Sequence, residues 1–146
     1  MSTTDTTAPA QHAAISFEFE LDHPPAKVWR ALTEPALLTA WLLPIAELTL
    51  EPGAAFRFTA PPQPGWDGIV DCRYLAIEPQ RQLSWSWVVG DIDTVVTFTL
   101  TPTATGTHLA LVQTGFKPDQ QRNFGGARYG WNLMGGKLHD VLATTP

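Results

Sequence analysis

Apolar and polar residues alternate through most of this chain, and the period of the alternation changes twice. Ile15, Phe17, Phe19 and Leu21 are apolar, whereas Ser16, Glu18 and Glu20 between them are polar. That two-residue period predicts a half-buried strand. Asp22-His23-Pro24-Pro25 then opens a helix, with Asp22 or His23 near its cap and a proline tolerated in the first turn. Ala26, Val28, Trp29 and Leu32 form its apolar stripe. Glu34-Pro35 ends it, because the residue before a proline avoids helical backbone angles. A second short helix is predicted from Pro35 to about Trp41, stopped by Pro44.

From Ile45 the period returns to two. Strands are predicted near 45–50, 54–60, 67–78, 81–89, 92–101 and 106–114. The separators are turn formers: Pro52-Gly53, the Pro61–Gly65 segment, Glu78-Pro79-Gln80, Gly90-Asp91 and the Pro102–Gly106 segment. Connections this short imply antiparallel hairpins.

The last stretch switches to helical spacing. Phe124, Ala127, Trp131, Met134, Leu138 and Val141 recur at steps of three and four, with Asp119 as the expected N-cap. Gly125, Gly126, Gly130, Gly135 and Gly136 lie inside the same helix. Each mid-helix glycine costs about 1 kcal/mol relative to alanine. They are therefore expected where the helix approaches the sheet closely or leaves room for a guest. Strands in a run with helices at the ends make an α+β domain over residues 15–146, one long helix gripped by an antiparallel sheet of six or seven strands. Residues 1–14 are rich in Thr and Ala, lack the basic-then-apolar layout of a signal peptide and read as a disordered tail.

Composition narrows the partners. The net charge of −5 and nine scattered Lys and Arg residues give no basic patch, so nucleic acid is not expected. No apolar run approaches the ~20 residues of a membrane span, which predicts a cytoplasmic protein without membrane insertion. The single cysteine, Cys72, excludes an internal disulfide, and His12, His23, His108 and His139 lack metal-ligand spacing. Neither a Gly-X-Ser-X-Gly elbow nor a Gly-X-Gly-X-X-Gly loop is present, and no cofactor or metal is expected.

The element order, together with four stretches, resembles a known family. These are Pro25-Ala26-Lys27-Val28-Trp29-Arg30-Ala31-Leu32-Thr33-Glu34-Pro35 with Leu38 and Trp41; Glu78-Pro79-Gln80-Arg81-Gln82-Leu83-Ser84-Trp85-Ser86-Trp87; the segment from Gly106 to Phe116; and Gly130-Trp131 with Leu138. Over roughly residues 15–143 the chain resembles the helix-grip fold of the START-like (SRPBCC) superfamily. Within it, the likeness is to small bacterial proteins of the family named after the C-terminal domain of the Hsp90 ATPase activator. Many relatives carry a histidine where this chain has Gln113, so no imidazole role carries over to that position.

A helix gripped by a sheet encloses space, and aromatic strands would line it. Trp85 and Trp87 share one strand face, and Phe56 and Phe58 share a face nearby, forming a candidate wall for a flat apolar ligand. Trp66 follows the Pro-rich loop, as a lid would. Gln113, Arg57 and Tyr129 are the leading polar candidates to orient a ligand, with Asn132, Arg73 and Arg128 behind them. The leading function is binding of a small hydrophobic molecule, aromatic or lipid-like, without a catalytic residue. The resemblance implies two alternatives. One is a polyketide cyclase or aromatase-like enzyme in which Arg57, Gln113 and Tyr129 steer a reactive chain. The other is a co-chaperone of Hsp90. A homodimer is compatible with a small acidic chain of this kind.

Overall fold

The computed structural model describes residues 2–8 and 13–146. In chain order the elements are β1 (Ser2–Asp5), β2 (Ala14–Leu21), α1 (Pro25–Thr33), α2 (Pro35–Trp41), β3 (Ala55–Thr59), β4 (Ile69–Glu78), β5 (Gln82–Val89), β6 (Ile92–Pro102), β7 (Thr107–Thr114) and α3 (Gln121–Thr144). Among the described residues seven strands form one antiparallel sheet in the order β1-β2-β7-β6-β5-β4-β3. The fold is an α+β helix grip, with α3 laid along the inner face of the sheet.

Period-two alternation decides which residues face α3. Ile15, Phe17, Phe19 and Leu21 of β2, Val96 and Phe98 of β6, and Leu109 and Leu111 of β7 are all buried. The register aligns them, with Phe17 opposite Leu111 and Phe98 opposite Leu111 on the other side. Phe124, Trp131, Leu138 and Leu142 of α3 close the core from above. A register shift in β4 between Tyr74 and Ala76 interrupts its pairing with β5.

The helix starts match their sequence expectation only in part. The cap position of α1 is Pro24, with Asp22 and His23 just before it and Pro25 in the first turn, as expected, and no side chain caps it. The turn is instead tied to β7, where Thr107 Oγ1 donates to the His23 carbonyl at 2.7 Å. Asp119 does not cap α3 either. Pro118–Gln120 forms a 3₁₀ turn, and Gln120 Oε1 accepts from the Lys117 backbone N–H at 2.9 Å.

Two strand expectations also change. Residues 45–50 alternate in sequence but form no strand. The Ile45 N–H donates to Thr39 Oγ1 at 3.1 Å, and Thr59 N donates to the Pro44 carbonyl at 2.9 Å. Those contacts tether the segment at its start, and Leu50 at its end is 38% exposed. Conversely Ser2–Asp5, expected in a disordered tail, pairs with β2 as an edge strand. It is held by side chains as well: Thr3 Oγ1 bonds His139 Nε2 at 2.6 Å, and Asp5 pairs with Arg128. Residues 9–12, also within that expected tail, lie outside the described residues.

The glycines of α3 divide into two kinds. A Cβ on Gly135 would lie 2.9 Å from Phe19 Cε1 and 3.0 Å from Thr3 Cγ2, so this glycine lets the helix approach β1 and β2. Gly125, Gly126 and Gly136 have nothing within 4 Å of such an atom, and Gly130 would make an ordinary 3.7 Å contact with Met134. The close-approach expectation therefore holds for Gly135 alone. No described helix is long and apolar enough to cross a membrane.

Candidate functional site

The space between α3 and the β3–β6 half of the sheet is built from aromatic rings. Phe56 and Phe58 project from β3 on the same face. Trp85 of β5 lies 5.6 Å from Phe56, 6.3 Å from Phe58 and 5.3 Å from Phe98, ring centre to ring centre. Trp87, two residues on, sits 5.8 Å from Phe58 and 5.6 Å from Trp131 of α3. The predicted wall of Phe56, Phe58, Trp85 and Trp87 is thus assembled as one cluster. These edge and tilted contacts are the favoured geometries for aromatic pairs.

Sequence reasoning passed over Tyr74. Directly opposite Trp85 in the β4–β5 register, it packs 4.5 Å from Phe56 and 6.1 Å from Trp85. It is 1% exposed, and burial pushes its phenol well above the ordinary tyrosine range, with the neighbouring Cys72 adding to the shift. Its hydroxyl is therefore a neutral donor. Burial likewise pushes the Cys72 thiol up, with Asp71 adding, so it remains an unreactive core group.

Gln113 faces inward and is buried, but protein groups occupy both ends of its amide. Trp131 Nε1 donates to Gln113 Oε1 at 2.7 Å, and Gln113 Nε2 donates to Thr94 Oγ1 at 2.9 Å. Thr94 Oγ1 in turn donates to the Trp87 carbonyl at 2.8 Å. This chain fastens α3 to β5, β6 and β7. A buried, satisfied network of this kind fixes relative placement of its elements.

The indoles sort themselves by their N–H. Trp41 donates to the Ala31 carbonyl at 2.8 Å, Trp66 to the Ile69 carbonyl at 3.1 Å, and Trp131 to Gln113. Trp85 Nε1 and Tyr74 Oη are buried with no hydrogen-bond partner among the described residues. A buried polar group without a partner costs about 1–3 kcal/mol.

The other polar candidates lie elsewhere. Arg57 points outward from β3 and donates to Asp71 Oδ1 at 2.7 Å. Tyr129 is 68% exposed on the far side of α3. Arg57, Gln113 and Tyr129 therefore do not converge on one interior site. Arg73 donates to the Gly53 carbonyl at 2.6 Å, Arg128 pairs with Asp5, and Asn132 is exposed. Trp66 is half-buried, held in its own loop by its indole bond. That loop closes at Gly68, whose positive φ of 85° and 2.0 Å Cβ approach to the Ala60 carbonyl exclude other residues. Among the described residues no group of three or more His, Cys, Asp or Glu could hold a metal.

Two of the grooves among the described residues stand out at the surface. One, of about 610 Å³, lies between the segment after α2 and β3, bounded by Pro44, Ile45, Ala46, Glu47, Phe56 and Arg57. The other, of about 650 Å³, lies by the β4–β5 turn among Pro25, Glu78, Arg81, Thr99 and Thr101. The first abuts the aromatic cluster through Phe56, whereas no aromatic residue borders the second.

Known proteins place this architecture. The chain is 42% identical to protein MLL2253 of Mesorhizobium loti, covering 91% of this chain and 98% of that one, with a TM-score of 0.84. A protein of Rhodobacter sphaeroides is 26% identical over 99% of this chain and all of its own, with a TM-score of 0.76. CalU16 of Micromonospora echinospora is 25% identical over 98% of this chain and 85% of its own, with a TM-score of 0.73. No curated protein matches the chain. The family model described as activator of Hsp90 ATPase homolog 1-like protein matches residues 22–143. With its helix-grip fold and these relatives, the chain belongs to the activator of Hsp90 ATPase homolog 1-like family of the START-like superfamily.

Proposed function

We propose that this protein binds a small, largely apolar molecule, aromatic or lipid-like, between α3 and the sheet. The observation that carries the reading is the groove of about 610 Å³ between the segment after α2 and β3, which Phe56 of the aromatic cluster borders. Phe56 is 8% exposed, so the cluster meets solvent at the groove. The helix-grip architecture of the family supports a ligand-binding fold. A flat guest entering here would exchange water for ring faces, the main driving force for such binding.

The expected affinity follows from area. Guest and wall together would bury about 400 Å², worth about 10 kcal/mol gross. Association losses of at least ~4 kcal/mol leave about 6, which corresponds to a dissociation constant of tens of micromolar. The test is quenching of tryptophan fluorescence and thermal shift across a panel of hydrophobic aromatics and lipids. Saturable binding by at least one class is expected. Failure of every class to quench or stabilise would rule this reading out.

A further inference from the structure

We propose that the guest is a neutral, flat molecule bearing a hydrogen-bond-accepting oxygen, such as an aryl ketone, held by Tyr74 Oη and Trp85 Nε1. This rests on the binding reading above and adds the chemical class of the ligand.

Tyr74 and Trp85 are direct partners across the β4–β5 ladder, and both point to the inner face. They are 1% and 0% exposed, and neither polar atom has a partner among the described residues. The equally buried indoles of Trp41 and Trp131 are both bonded, to the Ala31 carbonyl and to Gln113. Among the described residues the one other such atom is His139 Nδ1 on α3, so within the aromatic cluster the missing partners belong to this pair. Both groups present a hydrogen, since the buried phenol stays protonated and an indole N–H can only donate. A carbonyl oxygen has two lone pairs and can accept from both.

The surroundings fix the rest of the ligand's character. Phe56 stacks 4.5 Å from Tyr74 and borders the groove, so a guest arriving there meets Phe56 first and the two donors behind it. The rings around the pair favour a flat molecule. Among the described residues the buried polar side chains are Thr7, Ser84, Thr94, Thr107, Gln113 and Gln120, all neutral. An ionised carboxylate placed here would lose its hydration and find no opposite charge. The site therefore selects a neutral acceptor over an anionic acyl chain.

Matched probes test this by calorimetric titration. Fluorenone and fluorene have nearly the same shape and differ in one carbonyl oxygen, and 2-naphthoate supplies an anion. Wild type is expected to bind fluorenone at least tenfold more tightly than fluorene, and 2-naphthoate more weakly than fluorenone. The fluorenone preference should collapse toward unity in Tyr74→Phe and fall in Trp85→Phe, with urea unfolding confirming that each variant is folded. Equal binding of fluorenone and fluorene by wild type would overturn the acceptor assignment while leaving the binding reading intact. So would a preference that survives in Tyr74→Phe. Tighter binding of 2-naphthoate would overturn the neutral class. Binding of none of the three would overturn the ligand assignment, and the binding reading falls with it only if the lipids of the wider panel fail as well.

Discussion

Replacing Tyr74 by phenylalanine removes one oxygen from a residue that is 1% exposed and whose hydroxyl has no partner among the described residues. Such an orphan costs about 1–3 kcal/mol in the folded state. The small void left by the oxygen takes back part of that, on the scale of about 1 kcal/mol for a lost methyl-sized group. The net expectation for the free protein is a gain of about 1 kcal/mol. For a chain of 146 residues this raises Tm by roughly 3–4 °C. Urea unfolding should show a higher midpoint with an unchanged slope. Adding an aryl ketone should reverse the order. At 100 times its dissociation constant a ligand stabilises wild type by about 2.7 kcal/mol. If the variant binds tenfold more weakly, the same concentration gives it only about 1.4 kcal/mol. The difference of about 1.3 kcal/mol offsets the intrinsic gain of the variant and tips the balance to wild type. A free Tyr74→Phe protein that loses 1 kcal/mol or more would show that the hydroxyl is already satisfied in the folded protein. Tyr74 would then offer no free donor to a ligand.

Two further outcomes follow from the packing of α3. Gly136→Ala should raise stability by about 1 kcal/mol, because a Cβ there meets nothing within 4 Å. Gly135→Ala should gain nothing or lose stability, because its Cβ would sit 2.9 Å from Phe19 and 3.0 Å from Thr3; equal gains in thermal unfolding would refute the close approach of α3 to β1. His139 bonds Thr3 through Nε2, while its buried Nδ1 has no partner among the described residues. Burial, its main cause, holds its pKa below the usual value of 6.5, with Asp140 and Asp22 pulling the other way and His23 in the same direction. The folded state therefore takes up a proton less readily than the unfolded one, so stability should fall as pH drops through 6.5 and level off below the folded value. His139→Gln should flatten this fall in urea midpoints, leaving the contribution of His23, whose pKa is also lowered; an unchanged slope would remove His139 as its source.

Much of the fold could be read from alternation, because most of the sheet has one buried face. β2 and β4 to β7 read clearly for this reason: one slipped residue would move Phe17 or Phe98 to the outside. The same signal misleads where burial is decided by something else. Residues 45–50 alternate, yet Ile45 is anchored to Thr39 and Leu50 faces solvent. Ser2–Asp5 has no apolar alternation at all, and what keeps it on the sheet edge is Thr3 with His139 and Asp5 with Arg128, residues more than a hundred positions away. Of the site, the shared face of Trp85 and Trp87 was legible from their spacing, and the inward direction of Gln113 could be weighed. Its partner Trp131 could not be foreseen, since the bond depends on how α3 lies across the sheet.

Tyr74 shows where such reading stops, and why the proposed site lies there. Within β4 it continues the buried series of Val70 and Cys72, so the local pattern calls it ordinary core. Its distinguishing property is a partner it lacks, which only the assembled neighbours reveal. Gln113, Thr94 and Trp131 bond one another in the same interior, so buried polar groups elsewhere in this core do find partners. Tyrosine and tryptophan at two paired, fully buried positions cost stability that phenylalanine at both would avoid. Local rules tend to be broken at functional sites, and two breaches facing each other across one strand pair, behind the ring that borders a groove, mark where a ligand would restore the balance.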